Sequence, residues 1–232
     1  MTQSKDMQAA IGWFKKQFSE PIKTGAQGTP FHLDFLTAIA IQESYEVWGR
    51  AYKIKTVPEV LELCVGDILD AAGGRNKQAF PQDRAVLENA LHGADMFKIA
   101  RKALVDMAQV ATEYKQYLKN ENKFCHAFGI FQYDIQAFTH DADYFLNHDW
   151  RDFSKCLGKC LTELHEGQRK TYPNKKDLSD KELVYVAIAY NQGHADINKS
   201  FQQGFKGHGD TKYYGEYIWD YMQLAKNTPP AS

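Results

Sequence analysis

The chain reads as a mostly α fold. Three observations carry that expectation: apolar residues recur at three- and four-residue spacing along most of its length, strand-like alternation is scarce, and no internal repeat is visible. Met7, Ala10, Ile11, Phe14 and Phe18 share one side of a helix over 6–18, and the stretch 19–30, with two prolines and two glycines, reads as the loop that ends it. A second helix over 32–45 carries Leu33, Leu36, Ile39 and Ala40 on one stripe. Residues 57–69 repeat an apolar helical pattern, closed by the breaker Asp70-Ala-Ala-Gly-Gly74, and 76–81 read as loop. Helical periodicity returns over 84–118 through Val86, Leu87, Ala90, Phe97, Ile99, Leu104, Val105, Met107 and Val110, with an interruption at His92-Gly93. The polar turn Asn120-Glu-Asn-Lys123 is followed by a helix over 150–165 and a basic loop over 167–177. Leu178-Ser179-Asp180 then caps a helix running through Tyr190.

At 232 residues, 44% hydrophobic and 25% charged, the chain can bury one substantial core, so a single domain over 1–232 is expected. A net charge of −1 argues against nucleic acid as a partner. No apolar stretch approaches the roughly 20 residues that span a bilayer. The start, Met1-Thr-Gln-Ser-Lys-Asp-Met-Gln8, lacks the apolar centre of a signal peptide. The eight histidines form no His-x-x-x-His pair and the cysteines no Cys-x-x-Cys site, so no metal is expected. Phosphate-cradling loops, dinucleotide fingerprints and Gly-x-Ser-x-Gly elbows are missing, and no cofactor is expected either.

Chemistry concentrates on one acid. In Phe31-His-Leu-Asp-Phe-Leu-Thr-Ala-Ile-Ala-Ile-Gln-Glu-Ser-Tyr45, Glu43 continues the apolar stripe, four residues after Ile39 and three after Ala40. It therefore points towards a core or cleft, where desolvation raises a carboxyl pKa and makes a general acid near neutral pH. Two later segments join it: Ala127-Phe-Gly-Ile-Phe-Gln132 and Ala187-Ile-Ala-Tyr-Asn-Gln-Gly193.

In this order, Glu43-Ser44, Gly129-Ile-Phe-Gln132 and Ala189-Tyr-Asn-Gln-Gly193 resemble the three signatures of the soluble lytic transglycosylase and goose-type lysozyme group of the lysozyme-like superfamily. Those signatures are Glu-Ser ending a helix, Gly-Leu-Met-Gln, and Ala-Tyr-Asn-x-Gly. The resemblance covers 31–45, 124–135 and 181–220. It departs from the family in Ile130 and Phe131, and in the 86 positions from Glu43 to Gly129, which imply an inserted helical lobe at about 50–122. Pairing Cys64 with Cys125 would tie that insertion back to the Gly129 segment; free buried thiols are the other reading, and Cys156 and Cys160, four apart on one helix face, are awkwardly placed for a bond.

The resemblance implies a lysozyme-like helical domain that cleaves β-1,4-linked amino-sugar polymer, most of all peptidoglycan, as a lytic transglycosylase or muramidase. Glu43 would protonate the glycosidic oxygen and Tyr190 would orient it. Ser44, Phe131, Gln132, Tyr133 and Asn191 would contact the glycan, and Tyr213, Tyr214, Tyr217 and Trp219 extend the aromatic supply for stacking on sugar faces. A hydrolase of this class adds a second carboxylate. Asp67 is the foremost candidate, expected on an apolar face beside Glu43, with Asp70, Asp95 and Asp134 behind it. A chitinase- or chitosanase-type hydrolase and a non-catalytic saccharide-binding protein remain open beside this reading. Its substrate implies a periplasmic or secreted location, reached as a trimmed form or by a route that reads no N-terminal signal. Nothing in the sequence identifies an inhibitor or immunity protein.

Overall fold

The computed structural model describes residues 2–68, 79–207 and 209–231, and the protein is mostly helical. Two compact units divide the chain: Met1–Glu43 with Leu157–Ser232, and Ser44–Cys156.

The first unit begins with α1 (Thr2–Gly25). Its buried stripe, Ala10, Ile11, Phe14 and Phe18, continues through Ile22 and Ala26 at four-residue spacing. That packing carries the helix past Pro21 to Gly25, well into the stretch expected to be loop. Helix α2 (Leu33–Ala51) outruns its expected end at Tyr45 for the same reason, because Val47, Trp48 and Ala51 are buried.

The second unit takes over α2 at Ser44 and adds α3 (Val57–Leu63), a three-stranded antiparallel sheet and α4 (Arg84–Glu88). Strand β1 (Val65–Ile68) replaces the second half of the helix expected over 57–69; it pairs with β2 (Cys125–Phe128), which pairs with β3 (Tyr133–Asp134). The breaker 70–74 and the first half of the loop at 76–81 lie outside the described residues. The break at His92-Gly93 is present: His92, at φ 59°, precedes α5 (Gly93–Val110), whose Met96, Ala100, Leu104 and Met107 are fully buried. Helical periodicity then tightens into 3-10 turns over Thr112–Lys119, held by the Arg101 guanidinium, which donates to the carbonyls of Leu118, Asn120 and Lys123 at 2.8, 3.0 and 3.0 Å. A short α6 (Ala142–Leu146) precedes α7 (Phe153–Thr171), which starts in this unit and continues in the first from Leu157.

All four cysteines are free and buried. The sheet register accounts for the missing Cys64–Cys125 bond: Val65 lies opposite Phe128 and Ile68 opposite Cys125, so the two cysteines sit towards opposite ends of the β1–β2 pair.

The first unit closes with α8 (Asp180–Gln192) and α9 (Tyr214–Lys226). The cap expected at Ser179 starts α8, and the structure completes it as a capping box with Glu182. Lys15 joins three helices of this unit. Buried within α1, its ammonium pairs with Asp34 in the first turn of α2 at 2.6 Å and donates to the carbonyls of Ala225 and Thr228 at the end of α9, at 2.5 and 2.8 Å. Among the described residues, no helix is long and apolar enough to cross a membrane.

Replacing Lys15 by Met preserves length and apolar stem but strands Asp34 and two carbonyls. The expected loss of stability is about 3 kcal/mol, measured by urea unfolding; a loss within about 0.5 kcal/mol, the range of an ordinary surface change, would mean that the ammonium is not the junction described.

Candidate active site

Glu43 stands on the buried side of α2, after Phe35, Leu36, Ile39 and Ala40, all of them fully buried. The residue keeps a partly exposed edge while protein crowds its carboxyl. Desolvation by that crowding pushes its pKa up to about 7, against the opposing pull of a hydrogen bond from Tyr214, whose hydroxyl donates to Oε1 at 2.6 Å. Burial, the neighbouring Glu43 charge and Tyr190 hold the Tyr214 phenol well above its ordinary value, so it remains a proton donor in this bond.

The hydroxyl expected from Tyr190 thus comes from Tyr214, 171 positions from Glu43 and 2% exposed. Tyr190 stands near enough to act on the ionisation of Tyr214. By sequence Tyr214 belongs with the aromatic residues available for stacking on sugar. Its sequence signal is faint: it opens a helix after a capping box formed by Tyr213 and Glu216, and nothing local indicates that its side chain turns towards α2.

The Ala-Tyr-Asn-Gln-Gly segment builds the support for this tyrosine. Asn191 Oδ1 accepts the Phe205 N–H at 2.8 Å and Gln192 Oε1 the Gly204 N–H at 3.1 Å, fixing the loop on the end of α8. From that loop the carbonyls of Phe205 and Gln203 accept the N–H groups of Tyr214 and Gly215, at 3.0 and 3.1 Å. Gly204 adopts φ +87°, and a Cβ there would stand 2.7 Å from that of Tyr214, so the close pass demands glycine. The Asn191 side chain, expected to hold a sugar amide or backbone, here holds backbone through its carbonyl oxygen.

The other expected residues belong to the second unit, and each has a structural occupation. Ser44 is buried and donates to the Ile130 carbonyl at 2.7 Å, so its hydroxyl is a brace for the Gly129 turn and is withdrawn from substrate. Phe131, 2% exposed, packs on Phe153 with ring centroids 5.8 Å apart; it is core, not a groove wall. Gln132 adopts φ 57° and donates its amide to the carbonyls of Gly129, at 2.7 Å, and Cys64, at 3.4 Å, closing the turn that Gly129 opens at φ +85°. Tyr133 is part-exposed and stacks on Phe145 at 5.7 Å.

Asp67 departs furthest from expectation. It lies on a strand instead of a helix, exposed and at φ 47°, a left-handed conformation that aspartate tolerates. The burial on which its role as a second acid depended is missing. Asp95 pairs with Lys98 at 2.9 Å and Asp134 accepts the Gln136 N–H at 2.8 Å, both ordinary helix-end duties, while Asp70 lies outside the described residues. No group of three His, Cys, Asp or Glu placed to hold a metal ion occurs among the described residues.

The first unit therefore brings together a proton-holding carboxyl, a phenol that orients it and a pinned loop. No known protein family, curated protein or solved structure matches this chain.

Two outcomes follow from the electrostatics of the pair. Because the folded-state pKa of Glu43 lies above its unfolded value, the native protein holds more protons between about pH 4.5 and 7, and stability falls as pH rises through that window. Glu43→Gln removes this dependence. Its stability relative to the parent should improve by about 2 to 3 kcal/mol between pH 4.5 and 7.5, read from urea midpoints at the two values; a gap that does not widen would mean that the carboxyl is not desolvated. In Tyr214→Phe the bond that favours the carboxylate is gone, so the Glu43 pKa should climb beyond about 7. Carbon-13 NMR titration of the glutamate carboxyls would detect this, and a downward shift would contradict the assigned hydrogen bond.

Proposed function

We propose that the protein cleaves β-1,4-linked amino-sugar polymer, with peptidoglycan as its substrate and Glu43 as general acid. The observation that carries this reading is the Glu43 carboxyl itself, held near pKa 7 by desolvation and oriented by Tyr214. At neutral pH such a group is populated in both forms, so it can give a proton in one step and take one back in the next. The three ordered motifs supply the choice of substrate. A location outside the cytoplasmic membrane goes with that substrate.

The Gly129-Ile-Phe-Gln132 and Ala189-Tyr-Asn-Gln-Gly193 segments, which resemble transglycosylase signatures, favour a one-acid route. Protonated Glu43 donates to the glycosidic oxygen, and the bond from the anomeric carbon to that oxygen breaks. The resulting Glu43 carboxylate then takes the proton from the sugar's own C6 hydroxyl as that oxygen attacks the anomeric carbon. A 1,6-anhydro end is formed, the acid is regenerated and no water is consumed. A chitin- or chitosan-type hydrolase would need a water-activating or charge-stabilising partner acid, and exposed Asp67 is poorly suited to that work.

Mass spectrometry of muropeptides released from purified cell wall tests the reading. Wild-type protein should give anhydro ends, and Glu43→Gln should lower their rate of formation by at least about a hundredfold, in keeping with the usual contribution of general acid catalysis. Reducing ends would instead identify a hydrolase. Wall left intact but bound would identify a saccharide-binding protein, and undiminished release by the Gln variant would remove Glu43 from the chemistry.

A further inference from the structure

Helix α9 is used on two sides. Tyr214, Gly215, Ile218, Met222 and Ala225 face the interior, and the first of these reaches Glu43. On the other side, Glu216, Trp219 and Asp220 form one wall of a cavity of about 370 Å³, completed by the loop residues Phe201, Gln202 and Lys212. This volume lies at the small end of the range of roughly 300–1,000 Å³ for small-molecule sites.

The floor is aromatic and preorganised. Trp219 and Phe201 contact each other with ring centroids 5.6 Å apart and planes 35° apart, and both keep exposed surface. Tyr185 backs Phe201 edge-on at 5.2 Å, and its hydroxyl is itself tied to the Lys199 carbonyl at 2.5 Å. Gln203 fixes the same loop by donating to the carbonyls of Asp196 and Ser200 at 3.0 and 2.8 Å. A ligand meets a platform already in place and spends little free energy on ordering it.

Charge around the rim narrows the ligand. Lys212 is paired with Asp220, and Glu216 accepts the Tyr213 N–H at 2.9 Å as the cap of α9. Two carboxylates against one ammonium disfavour phosphate or a nucleotide. With Asp220 paired and Glu216 capping, neither is poised as a cation ligand. What the rim does offer is carboxylate and amide groups that can accept and donate around the edge of a ring whose face lies on Trp219. Hydroxyl-rich pyranose has that combination, with an apolar C–H face and a polar circumference.

We propose that this cavity holds one pyranose residue of the glycan, as a binding subsite on the far side of α9 from Glu43. It relies on the proposed function only for the choice of an amino-sugar polymer as the glycan. In size the cavity suits one ring of a longer chain, so its effect is to retain polymer near the enzyme without taking part in bond cleavage.

Isothermal titration of N-acetylchitotetraose into the Glu43→Gln protein, which leaves the probe uncut, tests this. Adding Trp219→Ala should weaken binding by about tenfold or more, and Trp219→Phe should restore it to within about threefold, since a ring face is retained. Ser200→Trp fills the cavity from its exposed rim without removing a side chain from α9, and should weaken binding to the same extent. Unchanged affinity in both Trp219→Ala and Ser200→Trp would overturn the subsite. So would absence of binding by the Gln variant alongside wall cleavage by the wild type, with the enzymatic reading untouched. Binding that depends on Trp219, with no wall cleavage by the wild type, would uphold the subsite and sink the enzymatic reading.

Discussion

The placement of α9 depends on one buried ammonium group. Lys15 has too little exposed surface to stay solvated by water, so its charge must be met by protein, and the partners it finds come from two other helices: Asp34 of α2 and the terminal carbonyls of α9. The last turn of a helix carries unsatisfied carbonyls and partial negative charge, so a cation there answers both needs. Because α9 is fixed at its C-terminal end by a residue that also grips the start of α2, the phenol at its N-terminal end acquires a defined position along α2. Glu43 lies where that phenol arrives. The acid and its donor are thus aligned in part by a contact at the start of α2 and the far end of α9 from Tyr214.

A second constraint holds the near end. The loop between α8 and α9 has little apolar packing of its own, and its backbone is satisfied by side-chain amides from Asn191, Gln192 and Gln203. Asn191, which in the sequence looks like a ligand for sugar, is spent with the two glutamines on backbone N–H and C=O groups. That is physically economical: a loop passing close to a helix N-terminus has donors and acceptors that must be met, and an amide can serve both. The same loop also forms part of the cavity on the other side of α9, so one set of amides rigidifies the surroundings of Glu43 and the aromatic floor together.

What could be read from the sequence follows from how local each cause is. The stripe that ends in Glu43 is a property of one helix, and its inward direction and raised pKa follow from spacing and burial alone. The cap at Ser179 and the break at His92 are equally local. Pro21 failed as a stop signal because Ile22 and Ala26 bury against other elements, a tertiary gain that no local rule contains. The segment 57–69 failed for a related reason: Val65 and Gly66 are buried because a sheet partner 60 or so residues away pairs with them, and period alone cannot separate a short buried strand from a helix. The exchange of Tyr190 for Tyr214 is the clearest case. Both are tyrosines in helices of the same unit, and the packing of α9 within that unit is what brings the Tyr214 hydroxyl to the acid. Ser44, Phe131 and Gln132 were found by motif, but a motif marks a geometry that must be kept, and here the turn itself needs them.

The cause of the Glu43 shift bears on how such an acid would behave with a glycan bound. Had a neighbouring carboxylate raised the pKa, added salt would weaken the effect and loss of the partner would abolish it. Desolvation responds instead to whatever replaces water at the residue's exposed edge. An uncharged sugar settling there removes water without supplying a compensating charge, so proton affinity increases on binding. The Tyr214 bond works against this increase, because a phenol donor stabilises the carboxylate. On the proposed one-acid route that opposition is useful: once the proton has gone to the leaving oxygen, the same hydroxyl is already in place to hold the carboxylate until it takes a proton back. A carboxyl governed by burial alone would be slow to ionise, and one governed by hydrogen bonds alone would not be protonated at neutral pH. The balance of the two at Glu43 suits both halves of the proposed cycle.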